Sequence, residues 1–259
     1  MSTEFIRQVA ALDLELAPLP QGHVLDAIGG GIKRRWLRER RRRKVGRAYD
    51  MALEIARVIP RGSEVLDVGC GNGFIAHHLS AMLGVSVVGI DVMPKTEASI
   101  DYRRYDGAHI PLADNSVDAI LLCYVLHHAQ NVSALLIEIR RVLRPSGLAV
   151  IYEDIPQTSW DRFVCFTHNL TWRRRTGACT FRDETGWRST FAEAEFEIVQ
   201  QRQLSRFRNL THPVCRRFYL LRAISEINAH AAHLAARHNR LSVLTSKGIE
   251  LPSCSSRAS

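Results

Sequence analysis

The sequence predicts an α/β fold in which a mostly parallel sheet carries helices on both faces. Three observations support this. Short apolar runs of strand length alternate with helix-length segments, a glycine-rich turn joins the first such run to the helix after it, and two further strand-like runs close the series.

Residues 1–32 contain Pro18, Pro20, Gly22 and the run Gly29–Gly31, so weak order or short helical pieces are expected there. From about 32 to 59 the pattern is helical, first highly charged and then apolar at Met51, Leu53, Ile55, Ala56, Val58 and Ile59, until Pro60-Arg61-Gly62 stops it. EVLDV (64–68) is a buried strand and FIAHHLSAML (74–83) a helix ended by Gly84. SVVGID (86–91), IDYRRYD (100–106) and VDAILLCY (117–124) supply strands two to four. VSALLIEIRRVL (132–143) is a helix and GLAVIYEDI (147–155) a fifth strand. A basic amphipathic helix (158–175) and a shorter one (185–194) precede two closing strands, FEIVQQRQL (196–204) and HPVCRRFYLL (212–221), which suit an antiparallel pair at the sheet edge. After Arg222 the chain is Ala-rich, with a polar end that looks disordered.

Composition narrows the class. At 259 residues, 46% hydrophobic and 24% charged, the chain is globular and can bury a full core. No apolar run approaches the roughly 18 residues of a spanning helix, and the N-terminus lacks a secretory pattern, so a cytoplasmic protein is expected. The cysteines (70, 123, 165, 179, 215 and 254) form no C-x-x-C pair and read as reduced thiols rather than disulfides or zinc ligands. Of the net charge of +9, residues 33–44 (KRRWLRERRRRK) hold +8, from nine basic groups and one acid. The rest of the chain is near neutral, which argues against a nucleic-acid binder over its whole surface. The segment 33–47 is left with three readings: contact with an anionic membrane surface through Trp36 and Leu37, contact with nucleic-acid phosphates, or a solvated face without a partner. The expected organisation is a basic arm (1–44), a main domain (45–222) with a cap-like insertion (156–181), and a tail (223–259).

The informative stretch is Val65-Leu66-Asp67-Val68-Gly69-Cys70-Gly71-Asn72-Gly73-Phe74. Glycines let the backbone turn sharply and approach a ligand, and a helix N-terminus follows with free N–H groups. By itself such a turn is a weak signal. Asp67 puts a charge inside an apolar strand, and Asp91 ends the second strand 22 residues after Gly69, where a carboxylate can accept ribose hydroxyls. A dinucleotide turn would need a third glycine where Phe74 stands, which argues against a nicotinamide reading.

VLDVGCGNG followed by GIDV resembles motif I and the acidic loop of class I S-adenosylmethionine-dependent methyltransferases. Further matches follow in order: Asp106-Gly107 with Ile110-Pro111-Leu112 and the turn Asp114–Asp118, then Val125-Leu126-His127-His128, then Arg141-Val142-Leu143-Arg144-Pro145-Ser146-Gly147. The resemblance spans about Tyr49 to Asp154. It implies a Rossmann-like, seven-stranded, mostly parallel sheet with S-adenosylmethionine as cofactor. Gly69, Gly71 and Gly73 would line the methionine portion, with Asp67 near its amino group, Cys123 offering backbone to that amine, and Tyr49 or Arg47 reaching the carboxylate. Asp91 would hold the ribose, Val92 or Met93 would flank the adenine, and Asp106 and Gly107 would meet its edge.

His127, His128, Glu153 and Asp154 stand at the ends of strands four and five and are the candidate acid–base groups, although packing or solvated-loop roles suit them equally. Helix 158–175, with Trp160, Phe163, Phe166, Trp172 and Arg173–Arg175, reads either as a substrate cap or as an ordinary helix packed on the sheet. No metal site is expected, since His230, His233 and His238 lack an accompanying ligand set. The expected activity is methyl transfer to a small-molecule acceptor, lipid-like or a secondary metabolite. An RNA or protein acceptor guided by the basic arm and a non-catalytic cofactor-binding module are the alternatives.

Overall fold

The computed structural model describes residues 24–224. All but the first two residues of the expected tail (223–259), the tail histidines and most of the segment 1–32 therefore lie outside the described residues. Helix α1 (Val24–Ile55) is followed by β1 (Val65–Val68), α2 (Phe74–Leu83), β2 (Val87–Asp91), β3 (Asp101–Arg104) and β4 (Val117–Cys123). Then come α3 (Val132–Val142), β5 (Leu143–Asp154), α4 (Ser159–Thr176), α5 (Glu184–Glu193), β6 (Phe196–Leu204) and β7 (Arg216–Ala223).

The seven strands run in the order β3-β2-β1-β4-β5-β7-β6. β1 to β5 are parallel, while β7 runs antiparallel to β5, and β6 to β7. Strand order reverses at β1/β4, which opens a crevice at the carboxyl ends of those strands. Alternation along β4 shows how the sheet is covered. Ile120 and Leu122 join a core with Leu135, Leu136 and Ile139 of α3 and Trp187 and Phe191 of α5. Ala119 and Leu121 face the other way, into a core with Met51, Ala52 and Ile55 of α1 and Leu79 and Leu83 of α2. Both faces of the sheet are thus filled, as its near-continuous apolar strands require.

Two expectations need correction. The first helix begins at Val24 and runs through Gly29–Gly31, because glycine weakens a helix by about 1 kcal/mol per residue but, unlike proline, does not block it. It ends at Ile55, before Pro60 is reached. The last strand begins at Arg216 rather than residue 212, since Pro213 has no N–H to give and His212 turns to Asp154. The two closing strands do pair antiparallel at one edge of the sheet, with β6 outermost and β7 between β5 and β6. Elsewhere the expected elements stand within a few residues.

One side chain fixes the long connection between β3 and β4. Arg141 of α3 donates to the carbonyls of Ile110 and Leu112 (both 2.9 Å), to Glu138 (2.8 Å) and to Asp114 (2.7 Å). Arg141→Met keeps the aliphatic stem and removes these bonds, two of them to charged partners. It is expected to destabilise the fold by about 2 kcal/mol in a denaturant titration.

Candidate active site

The glycine loop leaves β1 at Val68 and enters α2 at Phe74. The Gly69 and Cys70 N–H groups donate to the Ile90 carbonyl (2.8 and 3.1 Å), tying the loop to β2. Asp91 knits the same two elements together: Oδ2 accepts from Gly71 N–H at 2.8 Å and Oδ1 from Met93 N–H at 3.0 Å. Asp67 lies below, only 1% exposed, and its Oδ2 has no hydrogen-bond partner among the described residues. Burial, and then the charge of Asp91, push its carboxyl up to about 8. Gly69 and Gly71 both have positive φ, but a β-carbon on Gly71 would stand in open space, whereas one on Gly69 would strike Val125.

A cavity of about 720 Å³ extends from this loop across the ends of β4 and β5. Tyr124, just after β4, is in the left-handed region (φ 63), a conformation costing a non-glycine residue about 1–3 kcal/mol, and swings the chain into the short turn Leu126–His128. His127 is buried there. Its Nδ1 meets Glu153 Oε2 at 2.7 Å, Phe181 stacks on its ring at 4.7 Å, and its Nε2 has no partner among the described residues. Glu153, fully buried, also accepts the Leu126 N–H at 2.8 Å. Burial alone would lower the His127 pKa, but the charge and hydrogen bond of Glu153 outweigh it and raise it.

His128 extends the wall, with Nδ1 3.0 Å from Thr176 Oγ1 and 3.3 Å from Cys179 Sγ, and Nε2 3.2 Å from Nε2 of His168 on α4. Burial, then the neighbouring histidine charges, lower His128 to about 3 and His168 to about 4, so both rings are neutral at pH 7. Next to them Asp154 pairs with His212 Nε2 (2.8 Å) and Arg216 Nε (3.0 Å). Burial raises the Asp154 carboxyl, but these two partners outweigh it and hold it below the usual range.

Residues 66–151 match a family described as a methyltransferase domain. Over 105 residues the chain is 35% identical to a demethylmenaquinone methyltransferase of Tropheryma whipplei (strain Twist), covering 37% of this chain and 43% of that protein. A sterol 24-C-methyltransferase of Gibberella zeae is 32% identical over 116 residues, covering 40% and 30%. The chain thus spans less than half the length of these relatives. An S-adenosylmethionine-dependent methyltransferase from Methanosarcina mazei superposes with a TM-score of 0.55 at 20% identity, over 66% of this chain and 97% of that one. The [4+2]-cyclase SpnF does so at 0.55 and 17% identity, over 68% and 80%. Residues 66–151 are thus a methyltransferase domain, and the fold around them is that of S-adenosylmethionine-dependent methyltransferases. The SpnF likeness is a reminder that this fold alone does not name a reaction.

The methyltransferase domain fits its cofactor on its own terms. Asp67 is a buried carboxyl group whose Oδ2 lacks a partner among the described residues, suited to an ammonium group once ionised, and Gly71 leaves room where any other residue would project a side chain. The cavity wall includes Asp67, Gly69, Gly71, Cys123, His127, His128 and Asp154. It does not include Gly73, Asp91, Val92, Asp106 or Gly107. Gly73 serves packing, since a β-carbon there would stand 2.5 Å from Thr96 Oγ1. Val92 and Met93 form an open ledge after β2, and Asp106 accepts from the N–H groups of Ala108 and His109 in an exposed turn beside it. Arg47 lines the cavity, whereas Tyr49 is turned edge-on to His78 at 5.4 Å.

His168, His212 and Arg216 were not visible as site residues in the sequence; no motif marks them. The basic segment is largely solvated toward its start and joins the body of the protein toward its end. Arg41 pairs with Glu97 (3.3 Å) and lies over the Phe74 ring, anchoring α1 beside the glycine loop. No helix among the described residues is long and apolar enough to cross a membrane.

Proposed function

We propose that this chain transfers the methyl group of S-adenosylmethionine to a nucleophilic atom of a small molecule with a substantial apolar part. The observation that carries this reading is the continuity of the cavity. Its wall joins Asp67 and the glycine loop to the histidines at the ends of β4 and β5, so donor and acceptor can meet without crossing bulk solvent.

When bound, the cofactor supplies an electrophilic methyl on a sulfonium. Asp67 holds the ammonium of its methionine portion, helped by the Cys123 backbone, and Arg47 takes the carboxylate. Asp91 keeps lone pairs beyond the two its backbone partners use, and these accept the ribose hydroxyls. Val92 flanks the adenine and the Asp106-Gly107 turn meets its edge. Gly69 and Gly73 act by shaping the loop.

The segment 156–181 forms the acceptor cap. Helix α4 turns Thr167, His168, Thr171 and Trp172 to the cavity and leaves Phe163, Phe166 and Leu170 more than half exposed beside it. That apolar stripe, together with the quinone and sterol relatives, supports a lipid-like acceptor over RNA or protein. Neither nucleic acid nor a membrane surface at the basic face is part of this reading. An acceptor that must shed a proton gives it to His212. Asp154 fixes that ring with Nε2–H donating, so Nδ1 carries the lone pair. Glu153 is a positioning residue, acting through His127.

The test is transfer of labelled methyl from S-adenosylmethionine into cell extracts separated into lipid, polar small-molecule, RNA and protein fractions. Label should enter a small-molecule fraction, most strongly the lipid one. Asp91→Ala, which loses hydrogen bonds contributing about 3 kcal/mol, should reduce incorporation about 100-fold at limiting donor. Label confined to RNA or protein would contradict the reading.

A further inference from the structure

We propose that His127, His128 and His168 form a binding site for a divalent transition metal, zinc by ligand type, with an open coordination position facing the cavity. One candidate ligand nitrogen from each residue lies within 4.8 Å of the others. Three neutral imidazoles with an unfilled fourth position are a usual ligand set for catalytic zinc. At zinc–nitrogen distances of about 2.0–2.1 Å, the edge of such a tetrahedron is about 3.3 Å. The His128 Nε2 to His168 Nε2 distance, 3.2 Å, is already of that length. No pair is more than 4.8 Å apart, so bringing the widest to that edge needs at most about 1.5 Å of movement, within the reach of small side-chain rotations.

The outer contacts orient these rings as metal ligands require. His127 gives Nδ1 to the buried Glu153, which leaves Nε2 in a fully enclosed position with no hydrogen-bond partner among the described residues. A buried ring nitrogen is rarely left so, and a carboxylate on the opposite nitrogen is the usual outer partner of a metal-bound histidine. On His128, the Thr176 hydroxyl donates to the Trp172 carbonyl at 3.4 Å and so accepts from Nδ1–H, which Cys179 Sγ also meets at 3.3 Å; this puts the lone pair on Nε2, facing His168. Two of the three ligands therefore have their tautomers set by groups that do not themselves enter the cavity. All three histidines line the cavity that reaches Asp67. If the methyl-transfer reading holds, the open position takes an oxygen or sulfur of the acceptor and holds it as an anion, while His212 receives the proton.

The experiment uses the full chain made without an affinity tag and freed of metal by chelator, titrated with Co²⁺ as a visible probe and then with Zn²⁺. One equivalent of Co²⁺ should give the intense visible bands of four- or five-coordinate cobalt, and Zn²⁺ should abolish them by displacement. His168→Asn should weaken binding by more than about 100-fold, and Glu153→Gln, which keeps the shape of the outer partner, by about 10–100-fold. The tail histidines 230, 233 and 238 remain in every variant, so the differences report the trio alone. His168 is only partly buried on α4, so His168→Asn should keep the wild-type unfolding transition. Binding of equal strength in wild type and His168→Asn, or no Zn²⁺ binding to the wild type, would overturn the proposal. Calorimetry with S-adenosylmethionine on the same metal-free protein reads the donor site separately, so failure of one reading is distinguishable from failure of the other.

Discussion

Asp67→Asn is expected to abolish measurable S-adenosylmethionine binding while making the empty protein more stable at pH 8. The two effects share a cause. Asp67 is buried, close to the charge of Asp91, and its carboxyl is lifted to about 8. An acid with a raised folded pKa keeps its proton in the native state at pH values where the unfolded chain has lost it. The wild type therefore loses stability as pH climbs from about 4 toward 8, and the amide removes that loss. A cationic ligand reverses the preference, because it needs the carboxylate. Donor binding below pH 8 should release a proton, and affinity should rise from pH 6 to pH 8 in the wild type. Losing a charge-assisted contact in a buried site costs about 3–5 kcal/mol, which is more than 100-fold in affinity. Thermal melts with and without donor at pH 6 and pH 8 read all three effects. A variant that still binds donor, with the same pH slope, would remove Asp67 from the donor site.

Gly69→Ala and Gly71→Ala, two residues apart, should fail in different ways. Both sites have positive φ, which costs alanine about 1–2 kcal/mol. At Gly69 the added carbon would stand 2.5 and 2.9 Å from the two methyl carbons of Val125, so a steric term adds to the backbone one. Gly69→Ala should lose about 3 kcal/mol of stability, several degrees in melting temperature. Gly71→Ala meets nothing in the protein and should lose only the backbone term. Its methyl would instead occupy space claimed by the donor, so affinity should drop much more than stability. Equal losses of stability would show that the two glycines do not divide the work in this way.

The scaffold was legible because its strands are continuous apolar runs and its glycine loop is a local pattern. The turn at 69–73, Asp67 beneath it and Asp91 at the end of β2 lie within 25 residues of each other, and the chain fold brings them together directly. The acceptor side was less legible. His168 was missed although helix 158–175 was expected, because an apolar stripe is normally assigned inward. Here Trp160, Phe163 and Phe166 face out, and the more polar side with Thr167, His168 and Thr171 faces the cavity. His212 lies 58 residues from Asp154, in a stretch expected to be strand, and only the turn before β7 brings it there. Glu153 could be a base or a solvated charge on sequence grounds. Complete burial, with one oxygen on His127 and the other on a backbone N–H, makes it a structural partner of the histidine.

The most direct measurement is calorimetric titration of S-adenosylmethionine into the purified full chain at pH 8. Saturable heat with one site per chain, unchanged when His168 is replaced by Asn and absent when Asp67 is replaced by Asn, is the result expected of a donor seated on the glycine loop. No heat from the wild type, or binding indifferent to Asp67, would contradict it.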